Sequence, residues 1–228
     1  MTYIIFPIFS LKNTIFKRWW DLVYPVLKVT LFPLLRLFLK NVKGTENIPK
    51  KGPYIITANH ESYLDPFFIV SVIIPLTNKK IHFLAVKGRF WDVWGDKIAH
   101  DYAGGICLDY GKEKAFNELL GLLRKREIVG IFTNLKSLDG KLKKGKTGVI
   151  ELALKARVPI LPIGLAGAFE IAPGDKLMPN FRRAKINIGK LIYLDKYYDK
   201  KIDYRLLRKL TDDLMHVISG LTGKPYNY

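Results

Sequence analysis

Short apolar runs alternate with amphipathic segments along most of the chain. Several segments have the pattern of strands, mostly continuous apolar runs with one alternating run: 54–58, 81–86, 128–132, 159–166 and 184–189. Helices are predicted where an apolar segment ends near a proline and where amphipathic patterns recur: 67–74, 112–127, 148–157 and 204–218. A glycine turn leads into a further short strand within 104–109. Strands that alternate with helices predict an α/β fold with a mixed, largely parallel central sheet flanked by helices.

Two stretches between these elements have no regular pattern and are interpreted as loops. Residues 87–97 are aromatic and basic, which suits contact with lipid or an acyl donor as well as it suits ordinary packing of loop aromatics. Residues 133–146 are rich in lysine and include a turn at Asp139-Gly140.

The first part of the chain is the most apolar. Residues 1–11 carry no charged side chain, and basic residues then interrupt the apolar runs of residues 12–40. No uncharged run approaches the roughly 20 residues that cross a bilayer. Aromatic residues, prolines and scattered basic residues favour helices that lie in one leaflet, although a hydrophobic helix pair packed on the globular part would give a similar pattern. We therefore predict membrane-associated helices over 1–42 and a globular domain over 43–228.

The net charge narrows the choice of partner. Thirty-eight Lys and Arg against twenty Asp and Glu give +18, which predicts attraction to a polyanionic surface such as nucleic acid or an anionic bilayer. No helix-turn-helix, zinc ligand set or aromatic RNA-binding motif is present, so the apolar opening favours the membrane over nucleic acid. The single Cys107 excludes an intrachain disulfide and a cysteine-based zinc site, and it fits a reducing compartment.

Few residues in the chain suit acid–base or nucleophilic chemistry. The chain has four histidines: His60, His82, His100 and His216. No two of them are spaced along the sequence as metal ligands usually are. No metal site is therefore predicted. No G-x-S-x-G elbow is present, and Cys107 lies in an apolar run where a buried cysteine is usually part of the core. His60 is the remaining candidate with a supporting group nearby.

His60 and Asp65 fall at the junction between the strand 54–58 and the helix 67–74. In open α/β sheets, sites usually lie beyond the carboxyl ends of the strands. Five residues on a regular helix turn through about 500°, so the two side chains meet only if His60 lies in the loop and Asp65 in the first helical turn. Ser62-x-x-Asp65 resembles a capping box, which suits that geometry. The local spacing leaves two interpretations open: a catalytic pair, or a helix-capping Asp beside a solvent-facing His.

The motifs around this junction resemble those of the lysophosphatidic acid acyltransferase (1-acylglycerol-3-phosphate acyltransferase) family. Four landmarks follow the order found in that family, whose first motif is a His and an Asp separated by four residues. They are Val42-Lys43-Gly44-Thr45-Glu46-Asn47-Ile48-Pro49 with Asn59-His60-x-Ser62-x-x-Asp65-Pro66; Gly105-Ile106-Cys107-Leu108-Asp109; Asp139-Gly140-Lys141-Leu142 with Lys144-Gly145-x-x-Gly148; and Val158-Pro159-Ile160-Leu161-Pro162-Ile163 with Gly167. The resemblance covers nearly the whole of 43–228, which would then be the catalytic domain.

One motif departs from the family pattern. The family's third motif reads Phe-Pro-Glu-Gly-Thr-Arg-Ser, and its Glu and Arg help to hold the phosphate region of the acceptor. Here the corresponding place is Phe132-Thr133-Asn134-Leu135-Lys136-Ser137, one residue shorter and without the Pro, Glu and Gly. Lys136 would stand in for the Arg, but a lysine cannot grip a phosphate bidentately. In the second motif, Tyr110 takes the place of a usual Arg.

The resemblance implies an acyltransferase that moves a fatty acyl group from acyl-CoA or acyl carrier protein to the free hydroxyl of 1-acylglycerol 3-phosphate, giving phosphatidic acid for phospholipid biosynthesis without a cofactor. His60 would be the general base and Asp65 its orienting partner. The residues implied in substrate binding are Lys87, Gly104, Gly105, Asn134, Lys136, Ser137 and Lys144. The expected location is the cytoplasmic face of the cell membrane. The altered third motif leaves two alternatives open: an acyltransferase with a different lysolipid acceptor, and a catalytically silent lipid-binding relative.

Overall fold

A computed structural model describes residues 25–134, 136–137, 139–171, 180 and 182–228. The part of the predicted membrane-associated segment before residue 25 lies outside these residues. Within the described ranges, no helix is both long enough and apolar enough to cross a bilayer.

A seven-stranded sheet forms the centre of the protein. Its strands, in chain order, are β1 (Leu39–Lys43), β2 (Tyr54–Ala58), β3 (Ile81–Ala85), β4 (Gly105–Cys107), β5 (Ile128–Phe132), β6 (Ile160–Ala166) and β7 (Ala184–Ile188). Across the sheet the strand order is β1-β7-β6-β2-β5-β3-β4. Neighbouring strands run parallel except β6 and β7, which run antiparallel. The predicted mixed, largely parallel sheet is confirmed.

Helices cover both faces of this sheet. Their bounds are α1 (Leu31–Arg36), α2 (Asp65–Thr77), α3 (Arg89–Lys97), α4 (Lys112–Arg124), α5 (Gly148–Ala156), α6 (Ala168–Ile171) and α7 (Tyr204–Thr222). Because successive residues of a strand point to opposite faces, β2 contributes to two cores. Tyr54 and Ile56 pack with α1 and α2, whereas Ile55 packs with α4, α5 and α7. All five residues of β2 are buried, which accounts for its continuous apolar sequence.

The structure differs from the sequence-based expectations in two elements. Residues 87–97, interpreted as a loop, contain the helix α3, whose Trp91 is buried beside Ala99 and Cys107. β1 is not among the predicted strands, yet it occupies Leu39–Lys43 and pairs in parallel with β7. The expected boundary between residues 42 and 43 therefore falls inside a strand, while the division of the chain into two domains stays a prediction.

Parallel strands place their carboxyl ends at one edge of the sheet. The segments that follow β2, β3, β4 and β5 accordingly lie along the same edge, and they include His60, Lys87, Asp109 and Thr133. This edge therefore brings together the segments that carry His60, Lys87 and the start of the altered third motif.

Candidate active site

His60 and Asp65 are in direct contact. His60 lies in the loop after β2, and Asp65 is the first residue of α2. The His60 Nδ1 is 2.8 Å from Asp65 Oδ2. The Asp65 side chain is completely buried, whereas 19% of the His60 side chain is exposed. With Nδ1 facing the carboxylate, the ring presents Nε2 as the nitrogen that can accept a proton.

Backbone donors hold the Asp65 carboxylate in place. Its Oδ2 accepts hydrogen bonds from the backbone N–H of Glu61 at 2.6 Å and of Ser62 at 2.8 Å, in addition to facing His60. The expected capping box is present only in part. Ser62 N–H donates to Asp65 Oδ2, but the N-cap position is Leu64, which makes no side-chain capping hydrogen bond, and the Ser62 hydroxyl accepts from the backbone of Leu64 instead of Asp65. The carboxylate that would cap a helix is thus used to orient the imidazole.

The segment that takes the place of the third motif is attached to the same loop. The ring of Phe132, the last residue of β5, stacks on His60 with centroids 4.2 Å apart. Thr133 donates its backbone N–H to Ala58 O, and Ser137 donates its backbone N–H to His60 O at 2.8 Å. Two backbone hydrogen bonds and one stacked ring therefore fix this segment beside the histidine.

The polar side chains predicted in this segment fall into two groups. Asn134 and Ser137 are buried and bonded within the segment, since Asn134 Oδ1 accepts from Thr133 Oγ1 and the Ser137 hydroxyl donates to Asp139 Oδ1. Lys136 instead extends over the exposed ring of Tyr63, with Nζ 3.4 Å from the ring centroid. Of these three residues, Lys136 is the one that carries a charge, and it is partly exposed over Tyr63.

Lys144 lies further along the loop and is exposed. Its positive charge contributes to lowering the pKa of Asp212 in α7. Asp139 receives hydrogen bonds from the Lys143 side chain, the Ser137 hydroxyl and the Lys141 backbone, which together hold its pKa well below the usual range for an aspartate.

Lys87 follows β3 on the same edge of the sheet. Its backbone N–H donates to Asp109 Oδ2, and its Nζ lies 3.4 Å from Asp96 and 4.7 Å from the ring centroid of Tyr110. The pKa of Lys87 is raised, first by its contact with the Tyr110 hydroxyl and then by Asp96. A cation is thus present where the second motif meets the end of β3.

Gly104 and Gly105 do not lie at this edge. Gly104 precedes β4 and Gly105 is its first residue, so both lie at the amino end of this strand. His60, in contrast, follows the carboxyl end of β2. A side chain on Gly105 would bring its Cβ within 2.6 Å of the indole of Trp91, and one on Gly104 would meet Ile81 O at 2.8 Å. Close packing accounts for both glycines, and their role in substrate binding stays a prediction.

Sequence reasoning missed two residues next to the His–Asp pair. Glu61 is buried, and its Oε1 accepts from Asn59 Nδ2 at 2.9 Å and from Lys224 Nζ at 2.5 Å. Burial raises the pKa of Glu61, while the contact with Lys224 opposes this shift. The position of Glu61 directly after His60, between a buried strand and a buried helix, is a signal that could have identified it. Nothing local marks Lys224, which lies 163 residues away.

A histidine oriented by a buried carboxylate, after a central strand of a largely parallel α/β sheet, is an arrangement that suits general acid–base catalysis. Comparison with known proteins gives the particular family. The family model described as Acyltransferase matches residues 40–166, and the chain belongs to that family.

Individual relatives agree with this assignment. The chain is 26% identical over 178 residues to the chloroplast 1-acyl-sn-glycerol-3-phosphate acyltransferase LPAT1 of Arabidopsis thaliana, covering 72% of this chain and 46% of that protein. It is 28% identical over 158 residues to a probable 1-acyl-sn-glycerol-3-phosphate acyltransferase of Mycoplasma pneumoniae, covering 62% of this chain and 56% of that protein. The chain thus spans about half the length of these curated relatives.

A solved structure shares the fold. The crystal structure of the 1-acyl-sn-glycerophosphate acyltransferase PlsC from Thermotoga maritima superposes with a TM-score of 0.64 at 18% identity, covering 96% of this chain and 99% of that one. Its similarity extends the match in fold well beyond residues 40–166.

Proposed function

We propose that the protein transfers a fatty acyl group from acyl-CoA or acyl carrier protein to the free hydroxyl of 1-acylglycerol 3-phosphate, giving phosphatidic acid for phospholipid biosynthesis. The observation that carries this proposal is the 2.8 Å contact between His60 Nδ1 and the buried Asp65 carboxylate. The names of the relatives supply the substrate class. Acyl transfer between a thioester and an alcohol needs a base but no metal ion or redox cofactor.

The reaction follows from the free Nε2 of His60. This nitrogen takes the proton of the acceptor hydroxyl while the alcohol oxygen attacks the thioester carbonyl carbon. Asp65 stabilises the imidazolium that forms, because its carboxylate faces Nδ1. The tetrahedral intermediate then collapses, the carbon–sulfur bond breaks, and the thiolate leaves with the proton from Nε2. The ester is formed and His60 returns to its neutral state.

Recognition of the acceptor phosphate is assigned to lysines on the same edge of the sheet. Lys136 and Lys87 both present ammonium groups near this edge, and each lies over an aromatic ring that limits its movement. Lys144 adds positive charge farther along the loop. Buried Asn134 and Ser137 hold the loop in shape, so their contribution to binding is through the position of Lys136.

The test is transfer of a labelled acyl group from acyl-CoA to 1-acylglycerol 3-phosphate by the full chain in detergent. His60→Ala should lower kcat roughly 10²-fold or more, as expected for a lost general base. His216→Ala is the matched control, because His216 is an exposed histidine of α7 that packs edge-on against Tyr226. Equal rates for the wild type and His60→Ala would refute the mechanism.

A second candidate is an acyltransferase with another lysolipid acceptor. The observation that favours it is the loss of the third-motif Glu and Arg, with Lys136 held over Tyr63 in their place. A panel of lysophospholipids with different head groups would decide between the two, since strict dependence on glycerol phosphate esters excludes this candidate. Lipid binding without turnover on any acceptor, unchanged by Asp65→Asn, would instead identify a silent relative.

We also propose that the protein acts at the surface of an anionic membrane, on its cytoplasmic face. At the start of the described residues, large apolar side chains are exposed: Val26, Val29, Leu34 and Leu37. Basic residues accompany them, including Lys28 and Arg36, and the whole chain carries +18. Leu37→Asp should weaken sedimentation with vesicles that contain phosphatidylglycerol, whereas Val217→Asp, which alters an exposed apolar residue of α7, should not. Equal sedimentation of both variants would exclude this surface.

A further inference from the structure

The side chain of Glu61, next to the catalytic histidine in sequence, is enclosed by polar partners. It is 2% exposed, and its Oε1 accepts from Lys224 Nζ at 2.5 Å and from Asn59 Nδ2 at 2.9 Å. Asn59 is itself fixed to β6, because its amide donates to Leu165 O and accepts from Leu165 N–H, both at 2.8 Å. The same oxygen of Glu61 is therefore held by Asn59, which is anchored to the sheet, and by Lys224. The backbone of Phe169 also donates to the carboxylate.

Glu61 is connected to the His–Asp pair through its backbone. Its N–H donates to Asp65 Oδ2 at 2.6 Å, and the same oxygen faces His60 Nδ1. The Glu61 side chain is almost fully buried, which restricts its torsions, so displacement of its carboxylate would also pull on the backbone N–H that holds Asp65. Lys224 thus stands at the end of a continuous chain of contacts that reaches the imidazole.

Lys224 reaches this position because the chain reverses after α7. Gly223 ends the helix with φ +71°, in the left-handed region that favours glycine. The Lys224 Nζ then bridges the Glu61 carboxylate and the carbonyl of Gly140, which belongs to the loop that carries Lys136. A single ammonium group therefore joins the catalytic loop to the loop assigned to the acceptor.

The strength of this link depends on burial. A buried carboxylate that loses its cation must protonate or draw water into the site, and removal of one partner of a buried ion pair is far more disruptive than removal of an exposed one. Lys224 is one quarter exposed and Glu61 almost fully enclosed, so the pair is of the buried kind.

We propose that Lys224 is a positioning residue for the His60–Asp65 pair: through Glu61 it holds Asp65 in line with His60 Nδ1 and ties the Gly140 loop to the same point. This inference rests on the proposed acyltransferase reaction for its kinetic consequence. The geometric part of it, the orientation of His60, can be measured without any turnover.

The experiment compares Lys224→Met, Lys224→Arg and the double variant Glu61→Gln/Lys224→Met with the wild type, all as full chains in detergent. The double variant leaves no unpaired buried charge, so it tests positioning even if Lys224→Met fails to fold. Lys209→Met is the matched control, since Lys209 pairs with Asp213 on the exposed face of α7. Two quantities are measured: kcat with lysophosphatidate, and the tautomer of His60 from the nitrogen-15 shifts of its ring, assigned by comparison with His60→Ala.

We expect His60 to carry its proton on Nδ1 in the wild type and to lose this preference in Lys224→Met and in the double variant. Their kcat should fall by roughly 10²-fold, the cost of a displacement of about 1 Å at a catalytic group. Lys224→Arg should retain at least part of the Nδ1 preference of His60 and of the wild-type kcat. Lys209→Met should match the wild type in both quantities. An unchanged tautomer with unchanged kcat in the double variant overturns the proposal. If the wild type transfers no acyl group, the acyltransferase function fails, while the tautomer measurement still decides the role of Lys224.

Discussion

Replacement of Asp65 by asparagine separates the chemical role of its carboxylate from its structural role. Oδ2 accepts hydrogen bonds from the backbone of Glu61 and Ser62 and faces His60 Nδ1, whereas Oδ1 is buried without a partner among the described residues. An asparagine with its amide oxygen at the Oδ2 position would keep both backbone contacts. What it would lose is the negative charge beside the imidazole.

The size of the effect follows from that one contact. A hydrogen bond to a charged group contributes about 1.5–3 kcal/mol, and each 1.4 kcal/mol changes a rate tenfold. Asp65→Asn should therefore lower kcat by roughly 10-fold to 100-fold. It should destabilise the fold by about 1 kcal/mol, because its amide Nδ2 takes the buried position of Oδ1, which has no partner among the described residues. Asp65→Ala should have the same kinetic effect and also destabilise the fold by about 2 kcal/mol or more, because two buried backbone N–H groups lose their acceptor.

The assay is acyl transfer under saturating substrates together with thermal unfolding of each variant in the same detergent. If Asp65→Asn keeps the wild-type kcat, the carboxylate does not stabilise the imidazolium and Asp65 only caps the junction. If Asp65→Asn destabilises the fold as much as Asp65→Ala does, the assignment of the two backbone hydrogen bonds to Oδ2 is wrong.

Three further changes test other parts of the structure. Gly105→Ala should destabilise the fold by about 1–3 kcal/mol through overlap with Trp91 while kcat per folded molecule stays unchanged, which chemical denaturation and the transfer assay would check. Lys136→Met should raise KM for lysophosphatidate by roughly tenfold without affecting a neutral monoacylglycerol acceptor; equal effects on both would contradict phosphate binding. Arg208 lowers the pKa of Asp212, so this pair stabilises the fold above the ordinary aspartate pKa and stops doing so as pH falls through the lowered value. Asp212→Asn should therefore cost up to about 1 kcal/mol at neutral pH and nothing in strong acid, as read from urea unfolding at both pH values.

The central strands could be predicted because burial on both faces leaves a local record. Every residue of β2 is buried, and its sequence is a continuous apolar run. β1 leaves no such record, since its strand Leu39–Lys43 lies at the edge of the sheet with three of its five residues exposed. Helix α3 was missed for a different reason: Arg89–Lys97 has a mixed aromatic and polar sequence with Gly95 inside it, which is a pattern typical of loops.

The candidate site likewise has contacts that local sequence predicts and contacts that it does not. The meeting of His60 with Asp65 depends on five residues of local geometry, so their spacing allowed the contact, and the resemblance of the surrounding motifs favoured it over a capping Asp beside a solvent-facing His. The contact of Lys224 with Glu61 depends on where α7 ends relative to the sheet, and no local pattern encodes that distance. The resemblance implied a role in binding for Gly104 and Gly105, whereas the close packing that requires both glycines became visible only in the fold.

The altered third-motif segment is compatible with an intact His60 because the two are joined mainly through the backbone. Thr133 N–H donates to Ala58 O, Ser137 N–H donates to His60 O, and Lys146 N–H donates to Thr133 O. Such bonds do not depend on which side chains the segment carries, so the Pro, Glu and Gly of the family motif can be absent while the loop keeps its place. The side chains of the segment bear instead on the choice of acceptor, since Lys136 carries a positive charge over the ring of Tyr63. The chemical step and the choice of acceptor are therefore separable here: changes at Lys136 should alter which lysolipid is used before they alter how fast His60 removes its proton.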